Sequence, residues 1–385
     1  MSHKKIIIIG TTASNLFLFR KDLITSCQKN NIQVHAFVSE YNDQWIARIQ
    51  SLGAEVVTYH LSRGGLNPLE DIQSVRELVE KIRIIKPDLV FSYSSKPVIY
   101  GSIAAKLAKV PQVIGMLEGL GYTFTEQPDG QSFKTKIIRN IQVLLYRLAF
   151  PCLDKIIFLN PDDPQDLINK YRIKAKDVEN LGATGLSLKD YPYSTAPTHP
   201  VKFLFIGRLL KEKGIYELIE AMRLVKAQYP QAHFTVLGEI DKENLGALKQ
   251  QQLNELVHEK LFEYPGYVTN IKDWITDSSV FVLPSYREGV PRSTQEAMAI
   301  GRPVITTDVP GCRETVVDGL NGFLIPKWNP QALAQKMCYF IEHPKKINEM
   351  GLQSFKIAQE RFDAEKINRK LLKIIGLVSE NEEIS

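Results

Sequence analysis

Short apolar runs alternate with helical patterns along the first half of this chain. Six runs predict strands, at residues 5–10, 34–38, 56–59, 89–93, 112–116 and 155–159. Strands that alternate with helices form β–α–β units, whose strands pair in parallel. The first half therefore predicts a parallel sheet.

A second alternation begins at Val201 and predicts further strands at 235–237, 280–283 and 304–306. The segment 180–200 between the halves is rich in glycine and proline, which is typical of a hinge. We therefore predict an α/β fold of two doubly wound, Rossmann-like domains that face a cleft. The predicted boundaries are 1–184, 185–360 and a C-terminal helical segment, 361–385.

Two glutamates separated by seven residues, Glu288 and Glu296, flank a predicted helix start after the strand at 280–283. Gly289 permits a tight turn and Pro291 favours the first helical position. Free amide groups at a helix start attract phosphate, whereas carboxylates accept hydrogen bonds from hydroxyls. This pairing suits a polyhydroxylated phosphate ester.

A second candidate site follows the strand at Val201, which ends at Gly207 and leads to Arg208 and Lys213. In an open α/β sheet, ligands bind beyond the carboxyl ends of the strands. We therefore expect both cations to point toward the Glu288 loop, where Arg208 can form a fork on a phosphate and Lys213 adds a point charge.

These segments together resemble family 4 of the retaining, GT-B-fold glycosyltransferases. The resemblance rests on Gly-Arg-Leu-Leu-Lys-Glu-Lys-Gly at 207–214, on the paired glutamates, and on the segment 297–316. The segments 91–103, 119–124 and 158–163 are similar to bacterial enzymes that extend lipid-linked oligosaccharides for capsule, O-antigen or protein glycosylation.

The resemblance implies a UDP-sugar donor, most often a UDP-N-acetylhexosamine, and a polyprenyl-diphosphate-linked saccharide acceptor. It implies that Glu288 contacts hydroxyls of the donor sugar and that Glu296 holds the ribose. It assigns the acceptor to 1–184 and the donor to 185–360, with 361–385 crossing back to the first domain. The implied catalytic residues are Arg208, Lys213 and Glu288. The implied nucleotide-sugar site comprises Gly207, Arg208, Lys213, Gly266, Val268, Glu288, Gly289, Val290, Pro291 and Glu296.

On the acceptor side the resemblance implies Gly10, Thr11, Lys96, Glu118 and Gly119. Many family members have a histidine where this chain has Glu118, so a histidine role does not carry over. Glu118 would accept a hydrogen bond from the acceptor hydroxyl or cap the following turn. Lys96 would meet the acceptor diphosphate or serve as a helix-cap cation, and Gly10 would line the acceptor site or form a plain tight turn.

Each donor-side residue also has a purely structural interpretation. Glu288 alone would be a solvated loop residue and Glu296 a partner of the helix dipole. Arg208 and Lys213 would be solvated surface cations. The functional interpretation depends on the two segments occurring together.

Charge and cysteine content limit the kinds of molecule that this chain is expected to bind. The net charge of +5 and pI near 8.8 suit an anionic substrate or an anionic membrane surface. Without a basic stripe or aromatic platform, this charge does not indicate nucleic acid. The four cysteines lack metal-ligand spacing, and no Asp-x-Asp occurs, so we expect no metal and no cofactor. No apolar run is long enough to span a membrane, and we expect a cytoplasmic protein on the inner face of the membrane.

The segment 133–150 predicts a basic amphipathic helix. At 100° per residue its large apolar side chains share one face and its lysines and arginines the other. That apolar face would pack on the sheet or contact the membrane. The apolar positions are Phe133, Ile137, Ile138, Ile141, Leu144, Leu145 and Leu148.

Three other classes fit parts of the pattern. A non-hydrolysing UDP-sugar epimerase shares the two-domain fold and would interconvert sugars without an acceptor. A nicotinamide dehydrogenase would need a glycine fingerprint that the turn at Gly10 lacks. A periplasmic two-lobed binding protein would need a signal peptide, which the N-terminal sequence does not resemble.

Overall fold

The structure is a computed structural model that describes residues 4–39, 42–61, 68–241, 244 and 246–378. The chain forms two compact units. The first comprises Met1–Thr123, Phe133–Thr184 and Ala364–Ser385. The second comprises Phe124–Ser132 and Gly185–Asp363. The domain boundaries drawn from the sequence stay a prediction.

The first unit is built on a parallel sheet of seven strands in the order β3-β2-β1-β4-β5-β6-β7. Its strands are β1 (Lys5–Ile9), β2 (Gln33–Val38), β3 (Glu55–Thr58), β4 (Leu89–Tyr93), β5 (Gln112–Leu117), β6 (Lys155–Phe158) and β7 (Val178–Asn180).

The second unit is built on a parallel sheet of six strands in the order β10-β9-β8-β11-β12-β13. Its strands are β8 (Lys202–Ile206), β9 (His233–Leu237), β10 (Glu263–Gly266), β11 (Val280–Leu283), β12 (Val304–Thr307) and β13 (Gly322–Ile325).

Helices connect these strands. The α-helices are α1 (Ala13–Lys29), α2 (Asp43–Gln50), α3 (Pro68–Ile85), α4 (Ser95–Leu107), α5 (Phe133–Ala149), α6 (Asp162–Pro164), α7 (Ile215–Gln228), α8 (Gln250–His258), α9 (Ile271–Thr276), α10 (Arg292–Ile300), α11 (Pro330–Glu342), α12 (Lys345–Arg361) and α13 (Ala364–Ile374). Short 3₁₀ turns occur at Tyr122–Phe124, Phe150–Cys152, Leu188–Asp190 and Lys211–Lys213, and a π-helical turn at Gln165–Asn169.

The central strands form the core because both of their faces are covered. Every residue from Ile6 to Ile9 in β1 is fully buried, and the four residues of β11 are at most 1% exposed. Strands buried on both faces read as continuous apolar runs, which is why the sequence located them well. The two doubly wound parallel sheets confirm the predicted fold class.

Three strands are absent from the sequence-based prediction. They are β7, β10 and β13, and each of them lies at one edge of a sheet. Two of them carry few buried apolar side chains: both ends of β7 are exposed, and β10 reads Glu-Tyr-Pro-Gly. The apolar signal that identified the central strands is therefore weak at β7 and β10. It does not explain β13, which reads Gly-Phe-Leu-Ile and has three buried residues out of four.

In each sheet the order in which the chain adds strands reverses at one point. The chain moves outward on one side from β1 to β2 and β3, and on the other side from β4 onward, so β1 and β4 flank the switch point. In the second sheet β8 and β11 flank it. Ligands of doubly wound sheets bind outside the carboxyl ends of the strands at such points. This rule selects the loops after β1, β4, β8 and β11.

A buried arginine holds the end of α10 in the second unit. Arg302 is fully buried, and its guanidinium donates to carbonyl oxygens of Ile275 at 2.9 Å, Thr276 at 2.8 Å and Ser194 at 2.7 Å. Burial lowers the pKa of the guanidinium to about 10, which still leaves it charged at neutral pH. The hydrogen bonds offset its desolvation and fix the segment at Ser194 to α9 and α10.

We expect Arg302→Met to lower the free energy of unfolding by about 3 kcal/mol or more, because each buried carbonyl left unpaired costs about 1–3 kcal/mol. Urea unfolding followed by fluorescence measures this. Arg223→Met is the control, because Arg223 is exposed and pairs with Glu259 at 3.1 Å. Such surface pairs contribute about 0–1 kcal/mol. Equal losses in both variants would contradict the role of Arg302.

Candidate active site

The loop after β11 carries Glu288. Its backbone N–H donates to Pro310 O at 3.0 Å, and its carboxylate Oε1 accepts from Ser285 Oγ at 2.7 Å. The Lys213 ammonium forms an ion pair with the same oxygen. The carboxylate therefore lies beside a cation at the carboxyl end of β11, as the sequence predicted for these two loops.

Gly214 brings the loop after β8 against the loop after β11. Gly214 has φ +72°, and a Cβ built on it would lie 2.1 Å from Pro284 O. Only a glycine permits this approach of two backbones. Since Lys213 immediately precedes Gly214, the contact fixes the lysine at the Glu288 loop.

Gly311 makes the equivalent contact from the loop after β12. It has φ +78°, and a Cβ there would lie 2.3 Å from the carbonyl oxygens of both Glu288 and Gly289. The Glu288 loop is thus held between two backbone contacts. Its conformation is set by neighbouring loops as well as by its own sequence.

Arg208 follows β8 but does not reach Glu288. Its guanidinium is 61% exposed and donates to Asp241 Oδ2 at 2.9 Å, an aspartate on the loop after β9. The structure therefore brings Lys213 and Glu288 together, whereas Arg208, on the same loop as Lys213, pairs with the loop after β9. An exposed arginine keeps the freedom to exchange its partner for a phosphate.

The helix α10 begins at the other end of the Glu288 loop. Gly289 and Val290 are buried, Pro291 is the N-cap residue, and Gly301 ends the helix with φ +92°. The sequence placed Pro291 near the first helical position, and the structure places it one residue earlier. The first amides of α10 have no partner within the helix and face its N-terminal end.

Glu296 lies one turn into α10 in a buried position. Its Oε1 accepts from Tyr191 OH at 2.9 Å and from Arg292 Nε at 3.1 Å. Burial raises the pKa of this carboxyl, and the Arg292 charge and the two hydrogen bonds oppose that rise. Glu288 and Glu296 thus have different surroundings, since Glu288 pairs with a lysine.

The remaining predicted donor-side residues lie at the carboxyl ends of strands in the same sheet. Gly207 follows β8 and donates to Leu237 O at 3.0 Å. Gly266 ends β10 with φ +82°, and a Cβ there would meet open space. Val268 is half-buried two residues further on. Gly266 thus ends the edge strand β10, two strands away from β8 and Gly207, and Val268 lies in the loop that follows β10.

In the first unit, Gly10 and Thr11 follow β1. A Cβ on Gly10 would lie 2.2 Å from Tyr93 OH, and Gly10 O accepts from Tyr59 OH at 2.6 Å. Thr11 O accepts from Ser39 N at 2.7 Å. The tyrosine rings thus close around Gly10 and leave no room for a larger residue.

Lys96 lies in the first turn of α4, which follows β4. Its ammonium is 3.9 Å from Asp71 Oδ1, and its side chain is 23% exposed. Lys96 and Gly10 therefore occupy the two loops that flank the switch point of the first sheet. The choice between a diphosphate contact and a helix-cap role stays a prediction.

Glu118 follows β5 and forms an ion pair with Arg20 of α1. It also accepts from Ser94 Oγ at 3.2 Å. Arg20 is 3% exposed and stacks over the Tyr93 ring, with 4.5 Å from its Cζ to the ring centroid. Gly119 continues the turn with φ +129°. A buried cation thus holds the Glu118 carboxylate in place.

On the predicted donor side, sequence reasoning missed four residues whose side chains contact Arg208, Glu288 or Glu296. Arg292 lies four positions before Glu296 on one helix, a spacing that brings side chains together and gave a usable signal. Ser285 lies in the same loop as Glu288. Tyr191 and Asp241 come from distant segments, and no local pattern links them to their partners.

Within the described ranges, no group of three or more histidine, cysteine, aspartate or glutamate side chains is placed to hold a metal ion. The positive groups at the site are the Lys213 ammonium, the Arg208 guanidinium and the start of α10. Together they suit a diphosphate, and the two carboxylates suit hydroxyl groups.

Two family models match this chain. The Glycosyl transferases group 1 model matches residues 192–356, and the Glycosyl transferase 4-like model matches residues 5–160. The first match contains every predicted donor-side residue, and the second contains every predicted acceptor-side residue.

Two curated relatives have lipid-linked acceptors in their names. The chain is 26% identical to the N,N'-diacetylbacillosaminyl-diphospho-undecaprenol alpha-1,3-N-acetylgalactosaminyltransferase of Campylobacter jejuni, over 97% of this chain and 98% of the relative. It is 26% identical to the UDP-Gal:alpha-D-GlcNAc-diphosphoundecaprenol alpha-1,3-galactosyltransferase of Escherichia coli, over 67% of each.

Solved structures share the fold. The Anabaena Alr3699/HepE structure in complex with UDP-glucose superposes with a TM-score of 0.78 at 20% identity, over 98% of this chain and 100% of that one. Sucrose-phosphate synthase from Thermosynechococcus elongatus superposes with a TM-score of 0.76 at 17% identity, over 97% and 99%.

The two doubly wound parallel sheets have the GT-B fold of these solved structures. With the family matches, they show that this chain belongs to the group 1 glycosyltransferases of family 4, a family of retaining enzymes that transfer a hexose or an N-acetylhexosamine. This confirms the resemblance drawn from the motifs.

We expect Gly214→Ala to destabilise the second unit more than Gly319→Ala does. The two glycines have φ of +72° and +75°, so both alanines incur the same cost of about 1–2 kcal/mol for a left-handed backbone. Only at Gly214 does the new Cβ meet a backbone atom, whereas Gly319 has nothing within 4 Å. Urea unfolding compares the two, and equal losses would show that the loop contact contributes nothing.

Proposed function

We propose that this enzyme transfers an N-acetylhexosamine from its UDP derivative to a polyprenyl-diphosphate-linked saccharide. The proposal of a UDP-sugar donor is supported by the pairing of Lys213 and Glu288 beside the start of α10, at the switch point between β8 and β11. A cation, a carboxylate and a helix N-terminus in one place match the diphosphate and the hydroxyls of a nucleotide sugar.

In this proposal Glu288 accepts hydrogen bonds from hydroxyls of the donor sugar, and Glu296 holds the ribose. Lys213 lies between the Glu288 carboxylate and the diphosphate, so its charge is shared between them. Arg208 exchanges Asp241 for a phosphate oxygen. These groups would stabilise the negative charge that develops on the leaving UDP without a metal ion.

The anomeric configuration would be retained because the acceptor hydroxyl attacks the sugar C1 on the same face from which UDP departs. The bond between the sugar C1 and the β-phosphate oxygen breaks while the acceptor hydroxyl oxygen forms the new bond to C1. The acceptor proton passes to the departing phosphate oxygen, so the step needs no protein nucleophile. In this scheme Glu118, which forms an ion pair with Arg20, is not required as a base.

The acceptor half of the proposal draws on the names of the two relatives, both of which specify a diphospho-undecaprenol. Lys96 and the loop at Gly10 would contact the acceptor diphosphate, as they flank the switch point of the first sheet. An acceptor with a polyprenyl tail stays in a bilayer, so the enzyme would work at the cytoplasmic face of the membrane.

The helix α5 has an exposed apolar face that suits such a surface. Of the seven apolar positions on that face none is buried, and Phe133 is 79%, Leu144 54% and Leu148 58% exposed. The helix packs on the first unit through another face, with Val143, Tyr146 and Ala149. The structure thus does not support packing of the predicted apolar face on the sheet.

Lysines and arginines flank this face, among them Lys136 and Arg147, and both are exposed. Such a helix binds an anionic bilayer through apolar contact and charge together. No helix in the described part of the chain is both long and apolar enough to cross a membrane. A contact along α5 would be peripheral.

The decisive experiment incubates the enzyme with UDP-N-acetylglucosamine, UDP-N-acetylgalactosamine, UDP-glucose or UDP-galactose and a polyprenyl-diphosphate-linked saccharide. We expect one N-acetylhexosamine donor to increase the acceptor mass by one residue, also in excess EDTA. Lys213→Ala and Arg208→Ala should each lower kcat/KM about 10²–10³-fold, because each removes a donor to the leaving group.

Arg223→Ala is the matched control for charge, and it should keep wild-type kcat/KM. Interconversion of the UDP-sugars without acceptor would indicate an epimerase instead. Wild-type kcat/KM in both site variants would contradict the donor site.

For the membrane contact we expect Phe133→Ser/Leu144→Ser to bind phosphatidylglycerol vesicles more than tenfold more weakly than wild type in sedimentation. The estimate follows from about 1.5–3 kcal/mol for burying each such side chain. Ile84→Ser is the control, since Ile84 is an 81% exposed residue of α3. Unchanged binding of the double variant, or an equal loss in the control, would rule out α5 as the contact.

A further inference from the structure

One oxygen of Glu296 carries both of its hydrogen bonds. Tyr191 OH and Arg292 Nε donate to Oε1, at 2.9 and 3.1 Å. Among the described residues no hydrogen bond is found to Oε2. The side chain is only 10% exposed, so the carboxylate has one satisfied and one available oxygen in a largely dry position.

The two hydrogen-bond donors to Glu296, Arg292 and Tyr191, lie on segments that are held by further hydrogen bonds. Arg292 NH1 donates to Gly185 O at 2.8 Å, so the guanidinium bridges the carboxylate and the backbone before β8. Tyr191 follows the 3₁₀ turn Leu188–Asp190 and donates its N–H to Leu188 O at 3.1 Å. Three residues later, Ser194 N donates to Ile300 O at 3.0 Å, at the end of α10. The segment around Tyr191 is therefore attached to the helix that carries Glu296.

We propose that Tyr191 and Arg292 are positioning residues that hold Glu296 Oε1 and thereby present Oε2 to the ribose hydroxyls of the nucleotide. This inference rests on the proposed role of Glu296. It assigns a function to a tyrosine that lies 105 positions away in sequence. Neither positioning residue needs to touch the nucleotide.

The physical reason is the freedom of a glutamate side chain. A free glutamate side chain loses up to about 2 kcal/mol of rotamer entropy when it is ordered. Two donors on one oxygen order it before the ligand arrives, so binding does not bear that cost. The same donors oppose the rise in pKa that burial causes and so favour the charged carboxylate, which can accept hydrogen bonds from both ribose hydroxyls.

The pH dependence of nucleotide binding reports on this arrangement. The groups that act on Glu296 are Arg292 on its own helix and Tyr191 on the segment before β8. Both lower the pKa of the carboxyl, against the burial that raises it. Removing the Tyr191 hydroxyl should therefore raise that pKa further, and UDP affinity should begin to fall at a higher pH as the solution is acidified.

The test measures UDP affinity by calorimetry from pH 5 to 8 together with steady-state kinetics. We expect Tyr191→Phe to weaken UDP binding about tenfold, the usual effect of losing one hydrogen bond to a charged group. The acid limb should move to higher pH, KM for the donor should rise, and kcat should stay at the wild-type value. The titration of UDP itself is common to all variants and cancels in the comparison.

Tyr193→Phe is the matched control. Tyr193 lies on the same segment, and its ring packs in a tilted arrangement against Phe355, with 5.0 Å between the ring centroids. It should keep wild-type UDP affinity and pH dependence. Arg292→Lys should retain part of the affinity that Arg292→Met loses, because a lysine keeps the charge but cannot bridge two acceptors.

A double-mutant cycle separates this inference from the proposed function. Glu296→Gln should weaken UDP binding by itself, and Tyr191→Phe should add little in that background, since it acts through the carboxylate. Wild-type UDP affinity in Glu296→Gln would overturn the ribose role. A loss in Glu296→Gln, with wild-type affinity and pH dependence in Tyr191→Phe, would overturn the positioning role alone.

Discussion

The contact between the backbone at Gly214 and the carbonyl of Pro284 sets the geometry of the candidate donor site. It forces the loops after β8 and β11 to lie against each other, and Gly311 repeats the arrangement on the far side of Glu288. The ion pair of Lys213 and Glu288 follows from that packing. A flexible lysine and a glutamate on independent loops would gain little from pairing, whereas two loops in fixed register keep both groups at one place.

The sequence predicted the central architecture because buried parallel strands leave a strong apolar signal. The predicted bounds of β4 and β11 agree with the structure at both ends, and those of β1 differ by one residue. The apolar signal was weak at two edge strands, β7 and β10, and β10 consists of Glu-Tyr-Pro-Gly and is partly exposed. An edge strand is defined by its backbone partner, and its side chains need not be apolar.

The candidate site was predictable to the level of loops but not of partners. Motif spacing placed Glu288 and Lys213 at one sheet edge, yet it could not show that Arg208 pairs with Asp241 or Glu296 with Tyr191. Those contacts join distant segments. The helix α5 shows a related limit, because periodicity identifies an apolar face but does not say whether that face packs on protein or faces solvent.

The division of the chain into two units limits where it can be cut into fragments. Neither unit is a continuous stretch of sequence, since Phe124–Ser132 belongs to the second unit and Ala364–Ser385 to the first. The inserted segment is anchored by Asp129 to Lys211 at 2.9 Å and by Glu126 to Lys327. A fragment that starts at Gly185 would lack both carboxylates and leave Lys211, two residues from Lys213, without that partner. Splitting this chain between Thr184 and Gly185 would therefore remove contacts of the loop that carries Lys213 in the candidate donor site.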